Sequence, residues 1–475
     1  MNRKLDYFKT YMLGRKVAVL GVGVSNRPLI RYIHRLGAVI TAFDMAGPSD
    51  EVLRRTMDDF QAEGIGISWS LGKDYLKNLK GFDMVFRTPK VRFDIPELLA
   101  ERERGAVITS EMEVFLELCP AKTFGVTGSD GKTTTTTLIS LFLKEEGYRV
   151  WLGGNIGTPL LDRIDEVEDA DMVVLELSSF QLHTMRRSTD VAVVTNISPN
   201  HLDVHKDYQE YIDAKKNLML YQSFMGRLVL NASNYESKSL SPEARGRVVF
   251  FSRGDEGPNP GAFLKDGVLT YQEPAKGISV PVVPAAEIVI PGRHNQENYL
   301  AAVAATFEYV SPASMARVAR TFRGVEHRME LVRELDGVRY FNSSIDTSPT
   351  RTKAALKALE DRGERVVLIV GGKDKKCDYT GLGESILAVC DRIVLCGENV
   401  PQIEKSIRAA CERRAQAEPT LVRAVDYEQA VQEARRLAKP GEAVVLSPAG
   451  TSFDRYRNFE DRGNHFKKLV HALGT

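Results

Sequence analysis

One run, Gly125-Val126-Thr127-Gly128-Ser129-Asp130-Gly131-Lys132-Thr133-Thr134, constrains this chain more than any other segment. It follows a strand predicted over 123–126 and opens a helix predicted over 132–145. A glycine-rich turn at that junction leaves backbone N–H groups and the positive helix end aimed at one point, a setting that holds phosphate. Gly128, Ser129, Asp130, Gly131, Lys132, Thr133 and Thr134 are the candidate contacts. Lys132 reaches toward β and γ phosphates and the Thr133 hydroxyl toward Mg²⁺. The general pattern asks for glycine five residues before Gly131, where this chain has Val126. A Gly/Thr-rich turn without a ligand is the plainer alternative.

Length and composition bound the rest. The 475 residues suffice for two to four domains. With 64 basic and 63 acidic residues the formal charge is +1, which argues against a dedicated nucleic-acid binder. No apolar run approaches the roughly 18 residues of a spanning helix. Residues 1–16 lack the apolar centre of a signal peptide. Five cysteines without a CxxC pair read as reduced packing residues. The expectation is a cytoplasmic chain with no membrane partner.

Three α/β blocks are expected, at 1–110, 111–323 and 324–475. Strands are predicted at 16–20, 39–44, 84–86 and 106–108 in the first. The second has strands at 123–126, 172–175 and 191–195, a helix at 208–218, and short strands with turns between 231 and 291. Helices follow at 296–309 and 312–321. The third has strands at 339–342, 366–370, 392–396 and 443–446, with helices at 350–359 and 427–437. Apolar strands alternating with helices imply mostly parallel sheets covered on both faces, with ligands off the strand carboxyl ends.

The remaining motifs fall at such ends. Gly21-Val22-Gly23-Val24-Ser25-Asn26 departs from the dinucleotide fingerprint at its last position, and Asp44 sits where a ribose-binding acid belongs. A dinucleotide, another nucleotide and a structural turn all remain open there. Glu176, ending a buried strand, is either an Mg²⁺ ligand or a solvated acid. In Asn196-Ile197-Ser198-Pro199-Asn200-His201-Leu202-Asp203-Val204-His205, again just after a strand, the spacing of His201, Asp203 and His205 suggests zinc or iron. No cysteine or further histidine cluster supports that reading.

These segments together resemble the Mur ligase family. The resemblance is carried by Thr127 through Thr134, Gly153-Gly154-Asn155-Ile156-Gly157, Glu176-Leu177-Ser178-Ser179-Phe180-Gln181 and Asn200-His201-Leu202-Asp203. It continues in Tyr211-Ile212-Asp213-Ala214-Lys215, Gly292-Arg293-His294-Asn295 with Asn298, Glu326-His327-Arg328, Thr347-Ser348-Pro349-Thr350-Arg351-Thr352, and Ser447-Pro448-Ala449 through Phe459. It covers essentially the whole chain. The implied fold is α/β with three domains: a Rossmann-like N-terminal domain, a central P-loop ATPase domain and a Rossmann-like C-terminal domain.

The implied activity is ATP-dependent addition of D-glutamate to UDP-N-acetylmuramoyl-L-alanine through an acyl phosphate, in peptidoglycan precursor synthesis. The Ser-Ser-Phe-Gln run and the C-terminal tail set this chain apart from siblings that use another amino acid or a folyl substrate. A catalytically inactive nucleotide-binding regulator is the remaining rival, and a monomer is expected. Closure of the domains would exclude water while donor and acceptor are held in line.

The resemblance also implies roles. Lys132 would bind the transferring phosphate, Thr133 and Glu176 one Mg²⁺, and His201 a second. Lys215 matches a lysine the family carbamylates, although Lys216 beside it leaves the assignment open by one position. A carbamate needs a neutral amine, hence a lysine pKa lowered by burial or cations. Gly21, Gly23, Ser25, Asn26, Asp44, Asn155, Ser178 and Gln181 would hold the UDP-sugar. Asn298 and Arg328 would contact ATP. Thr347, Lys375, Ser452, Phe453 and Phe459 would cradle D-glutamate. Two departures stand out. Asn342-Ser343-Ser344-Ile345-Asp346 replaces the usual Asn-Asp-Ser, so Asp346 would take over an ATP-side role. Thr88-Pro89-Lys90 replaces Ser-Pro-Gly, so Lys90 would add a contact to the diphosphate.

Overall fold

The computed structural model describes residues 2–199, 204–254, 259–290, 292–360, 362–374 and 377–474. His201, with Asn200 and Asp203, and Lys375 lie outside the described residues. The chain divides into two compact units, Met1–Thr321 and Phe322–Thr475.

The first unit carries two sheets. One has the order β3-β2-β1-β4-β5, from β1 (Lys16–Leu20), β2 (Val39–Asp44), β3 (Ser68–Leu71), β4 (Met84–Arg87) and β5 (Val107–Thr109), all parallel. The apolar run Lys-Val-Ala-Val-Leu of β1 explains its central place. Val17 and Val19 enter one core, while Ala18 and Leu20 enter another on the opposite face. The helix Asn26–Arg35 follows the glycine turn after β1, and its buried Asn26 side chain donates to the carbonyls of Leu20 and Gly21, tying the helix start to the strand end.

The other sheet comprises β6 (Lys122–Thr127), β7 (Val150–Gly154), β8 (Met172–Glu176), β9 (Val191–Val194), β10 (Arg227–Asn231), β11 (Arg247–Ser252), β12 (Gly261–Lys265), β13 (Val268–Glu273) and β14 (Ile278–Pro284). Its order is β14-β13-β12-β11-β10-β9-β6-β8-β7. It is parallel from β7 to β12, and then turns antiparallel through β13 and β14. The reversal sits at Asp266-Gly267, both at positive φ (49° and 76°), as a tight two-residue hairpin requires. The first unit's largest apolar cluster runs from Val17 and Phe86 of the first sheet to Val173 and Leu175 of the second.

The second unit holds β15 (Glu330–Leu335), β16 (Val338–Asn342), β17 (Val366–Val370), β18 (Cys390–Leu395), β19 (Thr420–Arg423) and β20 (Ala443–Leu446), in the order β15-β16-β20-β17-β18-β19. A hairpin at Asp336-Gly337 makes β15 antiparallel, and the remaining pairs are parallel. In β17, Val366, Leu368 and Val370 face one core and Val367 and Ile369 the other. Among the described residues no helix is long and apolar enough to cross a membrane.

Candidate active site

The phosphate loop lies off the carboxyl end of β6 and opens the helix Lys132–Glu145. Val126, the departure from the general pattern, is inside β6. It pairs in register with Glu176 of β8 and Val193 of β9 and is fully buried, so its β-branched side chain belongs to the sheet. The turn proper runs from Gly128 to Gly131. Gly128 has φ 149°, and a Cβ there would stand 1.9 Å from Thr195 Oγ1. Gly131 caps the helix at φ 78°, where a Cβ would stand 2.4 Å from Asn298 Oδ1. Glycine is therefore required twice, for conformation and for space.

The segment after β9 moulds the loop. Ser129 N–H donates to the Asn196 carbonyl at 2.8 Å and Asp130 N–H to Asn196 Oδ1 at 2.9 Å. Thr195 Oγ1 donates to the Asp130 carbonyl at 2.6 Å. The Ser129 hydroxyl meets Ser198 N–H and the Tyr211 hydroxyl, both at 2.9 Å. Thr133 is buried at the helix start, and Thr134 is half-buried. Asn298, on the helix Arg293–Thr306, accepts from Thr135 Oγ1 at 3.3 Å.

Two lysines converge on one carbonyl of this loop. Lys132 Nζ donates to Gly128 O at 3.0 Å and Ser129 O at 2.9 Å, and Lys215 Nζ donates to Gly128 O at 2.7 Å. Lys215 is 1% exposed and its amine lies 4.5 Å from the Tyr211 ring centroid. Burial, reinforced by the Lys132 charge and opposed by Asp130, holds the Lys215 pKa well below the usual lysine value. Lys216 instead pairs with Glu243 at 2.7 Å, so of the two only the Lys215 amine reaches the phosphate loop.

Glu176 ends β8 beside the loop and is 1% exposed. Its Oε1 accepts from Asn155 Nδ2 at 2.6 Å, while Oε2 is buried and takes no hydrogen bond. An acceptor-only oxygen left bare in the interior is costly unless a cation answers it. With the buried Thr133 hydroxyl it is a donor set that suits a hard divalent ion. Ser178 and Gln181 form a capping box on the short helix Ser179–Leu182, with Gln181 Oε1 accepting from Ser178 N–H and Oγ at 3.0 Å.

Off the first sheet, Gly21 takes φ 81° and its N–H donates to Phe43 O at 2.7 Å. Asp44 accepts from Val22 N–H at 2.8 Å and Ala46 N–H at 2.9 Å, so its carboxylate ties β2 to the turn after β1. Gly23 and Ser25 are exposed at the start of the following helix. Lys90 is exposed, on a loop held from below by Arg87. The buried Arg87 guanidinium donates to the Thr88 and Val91 carbonyls and to Thr184 Oγ1 at 3.0 Å. Burial lowers its pKa to about 10.

In the second unit, Ser343 stands where the resemblance places an acid, and its Oγ accepts from Met329 N–H at 3.3 Å. Asp346 returns a carboxylate to the end of β20, accepting from Ser447 Oγ at 2.7 Å. Burial raises its pKa, against hydrogen bonds from Ser343 and Ser447. Thr347 and Phe459 are half-buried, Ser452 is buried, Phe453 is 61% exposed, and Arg328 is exposed. The Phe459 ring meets His327 edge-on at 5.9 Å.

Sequence reasoning missed Thr195, Asn196 and Arg87. Arg87 carried a readable signal, a charge closing the apolar strand Met-Val-Phe-Arg. Thr195 and Asn196 carried none, because their role is to present hydrogen bonds to a loop far away in sequence.

The chain matches the model of the Mur ligase middle domain over residues 126–306 and that of the Mur ligase, glutamate ligase domain over 327–450. It is 53% identical over 475 residues to the UDP-N-acetylmuramoylalanine--D-glutamate ligase of Acetivibrio thermocellus, covering 100% of both chains. Against the enzyme of the same name from Ruminiclostridium cellulolyticum the identity is 50% over 474 residues, again with 100% of both chains covered. Among solved structures, a UDP-N-acetylmuramate-alanine ligase from Thermotoga maritima superposes with TM-score 0.53 at 17% identity, covering 96% of this chain and 99% of that one. A UDP-N-acetylmuramoyl-L-alanyl-D-glutamate--2,6-diaminopimelate ligase gives 0.54 at 15%, with 92% and 93% covered. These structural likenesses establish the fold.

Proposed function

The chain belongs to the Mur ligase family, and from that premise we propose that it uses ATP to join D-glutamate to UDP-N-acetylmuramoyl-L-alanine. Full-length identity of about half to enzymes of that printed name supports the substrate pair. The three sheets fit three domains at 1–110, 111–323 and 324–475, for the UDP-sugar, ATP and the incoming amino acid. A cytoplasmic monomer is the accompanying reading, since nucleotide substrates are drawn from that compartment.

One observation carries the chemistry. Lys132, Lys215 and the bare Glu176 oxygen gather on a loop shaped for phosphate. Loop N–H groups and the helix end would hold the ATP phosphates, and Lys132 would exchange its two carbonyl partners for the γ phosphate. The substrate carboxylate attacks that phosphorus, ADP leaves, and an acyl phosphate forms. The D-glutamate amine then attacks the acyl carbon, and phosphate leaves as the amide closes. Charge neutralisation and in-line positioning supply most of the acceleration.

Thr133 and Glu176 fit an Mg²⁺ ion, and His201 with Lys215 would hold a second. Such ions, when bound, neutralise charge on the phosphate oxygens. Lys215 fits carbamylation because its depressed pKa favours the neutral amine. The neutral nitrogen attacks CO₂ and sheds a proton, converting a buried amine into an anionic oxygen donor. Gly21, Gly23, Ser25, Asn26, Asp44, Lys90, Asn155, Ser178 and Gln181 are assigned to the UDP-sugar, and Asn298, Arg328 and Asp346 to ATP. Thr347, Lys375, Ser452, Phe453 and Phe459 are assigned to D-glutamate. Asp346 supports an active enzyme, since its buried bond to Ser447 restores an acid near the altered Asn342-Ser343-Ser344 run.

The test is ADP release across a panel of amino acids with UDP-N-acetylmuramoyl-L-alanine. Release that depends on D-glutamate and on the nucleotide sugar is expected. Release driven equally by L-lysine or meso-diaminopimelate would refute the substrate assignment, and ATP binding without turnover would refute the activity.

A further inference from the structure

Outside the phosphate loop, three side chains that the ligase chemistry does not use meet at one point. His183 follows the short helix Ser179–Leu182, His205 precedes the helix Tyr208–Leu220, and Glu210 lies in the first turn of that helix. One donor atom from each falls within 4.8 Å of the other two. His183 Nε2 is 3.4 Å from Glu210 Oε1, and His205 Nδ1 is 3.5 Å from Glu210 Oε2. Two bonds of about 2.1 Å at a tetrahedral angle place their donor atoms about 3.4 Å apart. Each histidine nitrogen already stands about that far from one oxygen of the Glu210 carboxylate, His183 from Oε1 and His205 from Oε2.

The surroundings orient the ligands. The His205 ring is stacked on Phe180 at 5.2 Å and meets Tyr211 edge-on at 5.3 Å. Its Nε2 sits 3.0 Å from the buried Ser179 hydroxyl, so Nδ1 is the atom turned toward Glu210. A metal-binding imidazole is usually fixed in direction and tautomer by an oxygen acceptor on its far ring nitrogen, a carboxylate, carbonyl or water, and here the Ser179 hydroxyl stands in that place. Burial, together with the His205, Arg92 and Arg87 charges, lowers the His183 pKa against Glu210, which favours the neutral ring a metal needs. Although burial opposes it, Arg92 and the Lys206 N–H hold the Glu210 carboxyl down at about 2, so it is ionised.

Arg92 is the built-in competitor, bound to Glu210 at 2.9 Å. It also makes a two-pronged pair with Asp94 at 2.8 and 3.0 Å, so its charge keeps a partner when a cation takes the glutamate. On the open side lies a cavity of about 250 Å³, lined by Arg87, Phe93, Phe180 and both histidines, with room for a water as fourth ligand.

We propose that His183, His205 and Glu210 form a binding site for a borderline divalent ion of the Zn²⁺ class, separate from the Mg²⁺-type oxygen site at Thr133 and Glu176. Two imidazoles and one carboxylate with an exchangeable fourth position select zinc over magnesium, which prefers oxygen. The ion clamps the end of the Ser178–Leu182 segment to the helix that carries Lys215.

The test uses the full chain with excess Mg²⁺ present, Zn²⁺ titrated by calorimetry and Co²⁺ as the optical probe. One Zn²⁺ per chain and the strong visible band of tetrahedral Co²⁺ are expected. His183→Asn and Glu210→Gln should each abolish both signals, either variant sufficing should the other fail to fold. Ser179→Ala should weaken Zn²⁺ about 10–100-fold. His201→Ala should retain one Zn²⁺, because the proposed ligands are His183, His205 and Glu210. Uptake that survives both His183→Asn and Glu210→Gln, uptake lost with His201→Ala, or no uptake at all overturns the site.

Discussion

Gly128→Ala probes whether the phosphate loop is built as described. The added methyl would lie 1.9 Å from Thr195 Oγ1 and 3.0 Å from the Asn196 carbonyl. The backbone at φ 149° is one that alanine adopts at a cost of about 1–3 kcal/mol. Thr195 must swing away, which breaks its 2.6 Å bond to the Asp130 carbonyl for about 1 kcal/mol more. The first unit should lose about 2–4 kcal/mol of stability in urea unfolding. ATP affinity, read by calorimetry, should fall by more than tenfold because the loop N–H groups no longer converge. Adding Thr195→Ala removes the steric contact and leaves the backbone strain. The double variant should therefore lose less than the sum of the singles, by about 1 kcal/mol. A Gly128→Ala protein with unchanged ATP affinity, or strictly additive losses, would refute this construction of the loop.

Lys215→Ala should lower kcat/KM about 10²–10³-fold, and a short carboxylate such as acetate should restore part of it, whereas Lys216→Ala should do neither; an active, unrescued Lys215→Ala would contradict carbamylation. Lys90→Ala should weaken uridine-nucleotide binding and leave ATP binding intact, measured by calorimetry with each nucleotide. Glu111 is buried, accepting from the N–H groups of Leu160 and Leu161, and burial pushes its carboxyl up to about 7. The folded state holds that proton where the unfolded chain has lost it, so stability is full below the ordinary value near 4.5 and declines as pH rises through 7. The loss is about 3 kcal/mol, and Glu111→Gln should flatten the dependence between pH 5 and pH 8 in urea unfolding.

Strand runs such as 16–20, 39–44, 366–370 and 443–446 were legible to the residue, because buried central strands are uniform apolar runs bounded by turns. The antiparallel edges β13–β14 and β15 were not, since their pairing depends on hairpins whose partners alternate in polarity. The strand–turn–helix form of the loop was readable because glycine, lysine and threonine at fixed spacing have a local chemical reason. Val126 shows the limit of pattern matching, since the strand's own packing decides that position. The different surroundings of Lys215 and Lys216 are visible only in three dimensions, where one amine is buried on Gly128 and the other meets Glu243. Of the spacing His201, Asp203 and His205, only His205 is among the described residues, and the side chains beside it, His183 and Glu210, are brought there only by the fold.

Phosphoryl transfer from ATP to the nucleotide-sugar carboxylate is tested most directly by isotope tracing. With both oxygens of that carboxylate labelled with heavy oxygen, mass spectrometry of the released phosphate should find one labelled oxygen per turnover, the other remaining in the amide. Phosphate free of label during D-glutamate-dependent turnover would contradict an acyl phosphate and the site built around it.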